Sequence, residues 1–418
     1  MKHVSFSALL FRAAAVLTAL CTVFCGWLFY RQYRGVLFGN DRGEGTLSAP
    51  QTTAPESTIP VTEPPTEPPT VPEPTEPPGP TVSTVTMVAV GDNLIHNMVY
   101  RSGWGTDPWN YDHLYQYVKD DISAADIAVI DQETIFVADH KNVSHYPSFG
   151  TPREIGDAVY KAGFDVILHA TNHVMDKGIG NVYDAIDYWS DKDVTVLGIH
   201  KTAEDAAVPK IVEKNGIRIG MINYTYYLNG YMLPADQQWA VDMLDNREKL
   251  LADIDYLEQN ADITVAFLHM GDEYTIRPSA FSKSMVELVV SRGVDLCING
   301  HPHVLEPYER YTAQNGNTAV VYYSLGNFVS AQTELDRLLG GMASLTITKT
   351  TQPDGTSVTE VTDFTMIPLV THTANDATYA VYKLEDYTDE LGARNVLVRM
   401  TTARLWKRYH EIVGDGDE

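Results

Sequence analysis

Cysteine is scarce in this sequence: three residues in 418, with Cys21 and Cys25 both inside one apolar N-terminal segment. Cys297 is left alone in the remainder, so the folded part has no disulfide framework, and a buried small apolar role suits that thiol better than a nucleophile. Cations are also in short supply. Lys and Arg total 30 against 55 Asp and Glu, a formal net charge of −25. Nucleic acids and anionic lipid surfaces are drawn by basic patches, so nucleic acid is excluded as a partner of such a chain. Long apolar runs are missing too, with one exception. Between Arg12 and Arg31 the stretch Ala13 to Tyr30 is uncharged and long enough to span a bilayer, with Trp27 and Tyr30 at its end. It reads as a signal anchor. A cleaved signal peptide is the alternative, but no small-residue cleavage pattern follows the run.

What is there begins with a spacer. From Ser48 to about Thr81 the chain is Pro, Thr and Glu, with Glu63-Pro64-Pro65-Thr66 repeated at Glu67-Pro68-Pro69-Thr70. Such a segment cannot bury a core and favours extended polyproline conformations, so a disordered, semi-rigid linker is expected. The chain divides accordingly into a cytoplasmic N-terminus and transmembrane signal anchor (1–34), an extracytoplasmic linker (35–81), a folded domain (82–370) and a C-terminal extension (371–418). The expected location is the cell membrane, single-pass, with the folded domain outside.

The folded part opens with the β-branched run Thr84 to Val90, which ends in Gly91-Asp92-Asn93. A buried strand followed by Gly-Asp places a carboxylate where open α/β sheets gather their ligands. The pattern recurs. Ile127 to Ile130 runs into Asp131-Gln132-Glu133, and Val166 to Leu168 runs into His169-Ala170-Thr171-Asn172-His173. Ile263 to Leu268 ends at His269, Val294 to Ile298 leads to Gly300-His301-Pro302-His303, and Val320 to Ser324 leads to Leu325-Gly326-Asn327. Helical patterns lie between: Pro152 to Ala162 after the N-cap candidate Thr151, Asn181 to Lys192, Asp245 to Gln259 and Ser279 to Arg292. This alternation predicts an α/β layered domain. Strands flanking Pro353-Asp354-Gly355 predict an added antiparallel hairpin, and Thr402 to Val413 an amphipathic helix.

Collecting the polar residues at these strand ends gives Asp92, Glu133, Asn172, His173, His269, His301 and His303. Carboxylate, amide oxygen and imidazole together suit Zn, Mn or Fe, one ion or two. Each residue alone has a plainer reading: Asp92 a helix cap, Asn172 a turn residue, His269 a core histidine. Their recurrence at successive strand ends favours the metal. Other features are plainer still. The acidic cluster around Asp253 and Asp255 reads as a solvated helix face. The run Tyr224-Thr225-Tyr226-Tyr227 reads as strand and loop packing, with stacking beside a pocket as the alternative.

Gly91-Asp92, the Glu133 segment, Ala170-Thr171-Asn172-His173 with Asp176 and Gly178, His269-Met270-Gly271-Asp272-Glu273-Tyr274, Gly300-His301-Pro302-His303 and Tyr323 to Phe328 occur in an order that resembles the CapA family. These are bacterial poly-γ-glutamate capsule synthesis proteins, similar to calcineurin-like metallophosphoesterases. The resemblance covers about residues 85 to 330. It implies a four-layer α/β sandwich of the metallophosphoesterase type, on a membrane-anchored surface protein that makes or exports an anionic polymer such as poly-γ-glutamate with membrane synthase subunits. It also implies a divalent metal at Asp92, Glu133, Asn172, His269, His301 and His303, with Glu133 at the bridging position and His173 as the catalytic acid. Leu94 stands where the phosphoesterase pattern has a histidine, with His96 two residues further on, and Met270 stands where a Trp is frequent. Two functions follow from the resemblance: a metal-dependent hydrolase, or a metal- or polymer-binding scaffold without chemistry. An amidohydrolase barrel is disfavoured because its His-x-His lies on the first strand, whereas this pair comes near the end of the domain.

Overall fold

The computed structural model of the chain describes residues 79–105, 108–374 and 379–414. The apolar run 13–30 and nearly all of the Pro/Thr/Glu segment lie outside the described residues. Among the described residues no helix is long and apolar enough to cross a membrane.

The β-branched runs form strands as expected. The first half of the chain supplies β1 (Thr81–Asn93), β2 (Ile127–Asp131), β3 (Phe136–Val137), β4 (Thr151–Pro152), β5 (Val166–Leu168), β6 (Thr195–Leu197), β7 (Lys210–Lys214) and β8 (Ile217–Thr225). The second supplies β9 (Ile263–His269), β10 (Leu296–Gly300), β11 (Tyr308–Thr312), β12 (Thr318–Tyr322), β13 (Asn327–Val329), β14 (Leu339–Thr351), β15 (Ser357–Thr373) and β16 (Tyr379–Lys383). One sheet has the order β16-β15-β14-β1-β2-β5-β6, with β13 paired to the end of β1. The other has the order β11-β12-β10-β9-β8-β7. In the first, β1, β2, β5 and β6 run parallel; in the second, β8, β9, β10 and β12 do. The hairpin around Pro353-Asp354-Gly355 is present as the antiparallel pair β14 and β15.

Side chains alternate across each strand, so both faces of each central strand must be covered. Met87 and Ala89 of β1 pack with Ile219, Met221, Val265 and Phe267 of the other sheet, which fills the space between the sheets. Val88 and Val90 face the opposite way, onto Ile155 and Val159 of the helix Arg153–Ala162 and Val182 and Trp189 of the helix Ile179–Trp189. On the outer face of the second sheet, Ala266, Leu268 and Cys297 pack with Leu250 and Ile254 of the helix Arg247–Asn260 and Val286 and Val289 of the helix Ala280–Arg292. The layers are helix, sheet, sheet, helix. Each fully buried aliphatic side chain contributes about 1.5–3 kcal/mol, and three such cores fix how the sheets face one another. The helix Thr402–Val413 closes the far side of the intersheet core with Leu405, Tyr409 and Ile412.

Two local expectations are corrected. Thr151 is not a helix cap: its backbone pairs with Phe136, and its buried hydroxyl donates to Thr134 Oγ1 at 2.7 Å. Pro152 precedes the helix instead, with extended backbone and no side-chain cap. Asp253 is not on a solvated face. It is 5 % exposed, accepts from the Tyr224 hydroxyl at 2.7 Å and is paired with Lys249, so it ties its helix to β8. Asp255 alone fits the expectation, exposed and bridged to Arg292.

Candidate metal centre

The parallel strands of both sheets deliver their carboxyl ends to one place. On β1 a bulge at Gly91 shifts the register so that Asp92 aligns with Asp131 of β2 on one side and Asn327 of β13 on the other. Only glycine serves there, because a Cβ on Gly91 would lie 1.9 Å from the Gly326 carbonyl oxygen. On the second sheet Gly300 of β10 pairs with His269 of β9. The chain then turns sharply: His301 has φ 98° and His303 φ 60°, both left-handed. Such conformations cost about 1–3 kcal/mol each outside glycine and persist where surrounding structure holds them. Here they bring the His303 imidazole and the His301 amide back onto Asp92. His303 Nδ1 is 2.9 Å from Asp92 Oδ2 and 3.1 Å from Asn327 Oδ1, and the His301 amide donates to Asp92 Oδ1 at 3.2 Å.

His269 uses both nitrogens: Nδ1 is 2.8 Å from Asp131 Oδ2, and Nε2 is 2.9 Å from Asn172 Oδ1. Burial lowers the His269 pKa, but Asp131 at contact, with Asp92 and Glu273, outweighs it and leaves the imidazole raised. Glu133 sits deeper. Its Oε1 is 4.0 Å from His173 Nε2, 4.0 Å from His269 Nε2 and 3.9 Å from His303 Nε2, and neither carboxylate oxygen has a hydrogen-bond partner. Burial first, then Asp92 and Asp131, raise the Glu133 carboxyl well above the usual range. Burial likewise raises Asp131, with His269 opposing. His301 is held well below its usual value by burial and then by His269 and His303, so it is neutral, the form that ligates metals.

These residues fit a metal ion. Asp92, Glu133 and His303 each offer a ligand atom within 4.8 Å of the others, and so do Asp92, Asp131 and His269, making Asp92 common to both groups. Asp131 Oδ1, both Glu133 oxygens and His301 Nδ1 are buried without partners, a state that costs free energy unless a cation or proton answers it. Room for the carboxylates exists because residue 300 is glycine. A Cβ there would lie 2.8 Å from Asp92 Oδ1 and 2.9 Å from Asp131 Oδ2.

The structure brings the seven singled-out side chains together. Asp92, Glu133, His269 and His303 form the heart of the centre, and Asn172 joins through His269. The His301 ring lies 5.0 Å from that of His269, with Nε2 3.2 Å from the Tyr226 hydroxyl. His173 Nδ1 is 2.7 Å from Asp176 Oδ2. Asn229 Nδ2 also lies 3.2 Å from that nitrogen, but the shorter contact is with the carboxylate. Leu94 is buried and offers no donor, while His96 lies within electrostatic range of His303 and His173, its pKa lowered to about 4 chiefly by burial. Sequence reasoning missed Asp131, although it ends an apolar strand run as Asp92 and His269 do. It gave no site role to Asp176, Asn327 or Asn229, and it read Tyr226 mainly as packing. Asp176 and Asn327 stood in motifs already singled out, whereas nothing local marked Asn229.

A buried carboxylate, amide and imidazole cluster at the strand ends of a two-sheet α/β sandwich is a candidate metal centre. Residues 86–332 match the family described as bacterial capsule synthesis protein PGA_cap, and the chain belongs to that family. The capsule biosynthesis protein CapA of Bacillus anthracis is 28 % identical over 259 residues, covering 59 % of this chain and 60 % of that protein. The PGA biosynthesis protein CapA of Bacillus subtilis (strain 168) is 27 % identical over 255 residues, 58 % of this chain and 62 % of that one. The chain thus matches about three fifths of the length of these curated relatives. Among solved structures, the NAD nucleotidase of Haemophilus influenzae overlaps with a TM-score of 0.43 at 11 % identity, over 79 % of this chain and 60 % of that one. A 5'-nucleotidase from Candida albicans gives 0.39 at 10 % identity, over 78 % and 58 %.

Proposed function

We propose that the chain is a membrane-anchored surface protein of capsule polymer synthesis or export, with a metal-dependent hydrolase site that acts on an anionic polymer such as poly-γ-glutamate or on its precursors. Family membership supports the capsule setting. The observation that carries the hydrolase reading is Glu133, buried and unpartnered with three imidazole nitrogens about 4 Å from one oxygen. Asp92, Asp131, Glu133, Asn172, His269, His301 and His303 would hold one or two divalent ions. A bound divalent ion supplies Lewis acidity and lowers the pKa of water.

The protein's own groups account for the rest. Asp176 accepts from His173 Nδ1, which fixes the tautomer and leaves Nε2 facing Glu133 at 4.0 Å, with the Asn229 amide nitrogen at 3.4 Å. His173 Nε2 is therefore the atom that takes up or releases a proton to a leaving group. The anchor is the run 13–30, and synthase subunits in the same membrane are the expected partners. A scaffold without chemistry is the second reading, favoured by Leu94, which offers no ligand beside Asp92. Elemental analysis of the purified chain, with an activity panel of phosphoesters and γ-glutamyl peptides under added Mn and Zn, tests both. Metal-stimulated turnover that falls about 10²–10⁴-fold in His173→Ala with metal content retained supports the hydrolase. Bound metal without turnover supports the scaffold, and no bound metal overturns the centre itself.

A further inference from the structure

The centre is rich in carboxylates and the whole chain is strongly acidic, with a formal net charge of −25. Bound divalent ions would offset the carboxylates of the centre itself, and a cation of the protein at its mouth would help an anionic substrate past the acidic chain and orient it. One guanidinium stands in the right place. Tyr274 stacks near His303, ring centroids 5.8 Å apart and planes 30° apart, and the Arg337 guanidinium carbon lies 3.7 Å from the Tyr274 ring centroid.

The arrangement is built rather than incidental. Tyr274 has φ 64°, left-handed for an aromatic residue, and its amide donates to the Pro302 carbonyl at 2.8 Å, inside the His301-Pro302-His303 turn. It is 43 % exposed, so the ring lies at the mouth of the centre. The Arg337 backbone is fixed as well: its carbonyl accepts from Asn327 Nδ2 at 2.9 Å, and Asn327 also contacts His303. Arg337 Nε is buried with no hydrogen-bond partner, and Nη2 meets Glu334 Oε1 at 3.2 Å. Glu334 is 68 % exposed in its side chain. Such a pair contributes little and exchanges readily.

We propose that Arg337, held on Tyr274 beside His303, is the oxyanion-recognition residue of the metal centre, and that a substrate carboxylate or phosphate displaces Glu334 from it. The planar guanidinium matches both oxyanions in two-point geometry. This inference rests on the functional reading above and adds to it the residue that selects an acidic group next to the reacting bond.

The test uses the full metal-loaded chain and three probes: a short γ-linked glutamate oligomer, its fully amidated neutral counterpart, and a phosphomonoester. Binding is measured by calorimetry and metal content by elemental analysis. Arg337→Met is expected to weaken whichever acidic probe the wild type binds by about 10- to 100-fold, with the neutral oligomer and the metal content unchanged. The probe affected identifies the source of the oxyanion. Glu334→Gln is expected to tighten the same probe, which keeps the proposal refutable if the Arg337 variant does not fold. Wild-type affinity retained in Arg337→Met, equal loss of the neutral oligomer, or no tightening in Glu334→Gln overturns the inference alone. A chain that binds neither metal nor any probe overturns the functional reading, and the inference falls with it.

Discussion

Replacing Glu133 with Gln is expected to stabilise the metal-free chain and to destabilise the metal-loaded one. Both oxygens of Glu133 are buried without a partner. An unpartnered buried polar group costs about 1–3 kcal/mol, and a charge costs more. Burial, Asp92 and Asp131 raise the folded pKa of Glu133 well above its ordinary value. A carboxyl shifted in that direction contributes stability that is full below its unfolded pKa and lost as pH rises toward the folded one. The metal-free comparison therefore belongs at about pH 8, where the neutral amide still lacks partners but escapes the extra cost of a buried charge, a gain on the order of 1–3 kcal/mol. Metal reverses the balance. An ion at about 1,000 times its Kd adds about 4.1 kcal/mol to the native state, and the amide forfeits most of that because it cannot replace a charged oxygen ligand. At about 2–4 °C per kcal/mol for a domain of this size, the variant melts above wild type in chelator and below it in saturating metal. Thermal melts in both conditions are the assay. A shift of the same sign in both would refute the reasoning, because it would mean that Glu133 does not face the ion.

Asp92 belongs to both ligand groups and Asp131 to one, so Asp92→Asn is expected to lose all bound metal and Asp131→Asn only part, as read by elemental analysis. Ala at Gly300 would crowd Asp92 Oδ1 and Asp131 Oδ2; metal content falls with the circular dichroism spectrum unchanged, and full metal loading would count against the cradle. Glu306 is 1 % exposed with both oxygens unpartnered, its pKa pushed up to about 8 by burial and then by Asp272. Its stabilisation is therefore present below its unfolded pKa and disappears as pH rises through about 8. Glu306→Gln should match wild type near pH 5 and exceed it by on the order of 3–5 kcal/mol near pH 9. Equal denaturation midpoints at both pH values would refute the assignment.

Much of the architecture is legible locally. Nearly continuous apolar runs at Thr84, Ile127, Val166, Ile263, Val294 and Val320 became the central strands because both faces of each had to be buried. Their polar termini became the centre because parallel strands bring their carboxyl ends together. Several strands were not picked out, among them β6, β7 and β11. The two-residue turn Asn215-Gly216, with φ of 51° and 77°, joins β7 to β8 and is itself a strong hairpin signal. Thr151 and Asp253 went astray because capping and solvated-face patterns are short-range rules. Each was overridden by a partner far along the chain, Thr134 in one case and Tyr224 in the other.

The sequence by itself determined the residue types of the centre, their order, and the α/β layering that puts them at strand ends, since periodicity and strand direction are local properties. Tertiary structure decided which oxygen meets which nitrogen. That Asp92 is common to both ligand groups, that Asp131 joins it, and that Glu133 lies near three imidazoles all follow from a bulge at Gly91, a missing Cβ at Gly300 and two left-handed histidines. Those features are set by contacts between segments about 30 to 240 residues apart, which no local pattern encodes.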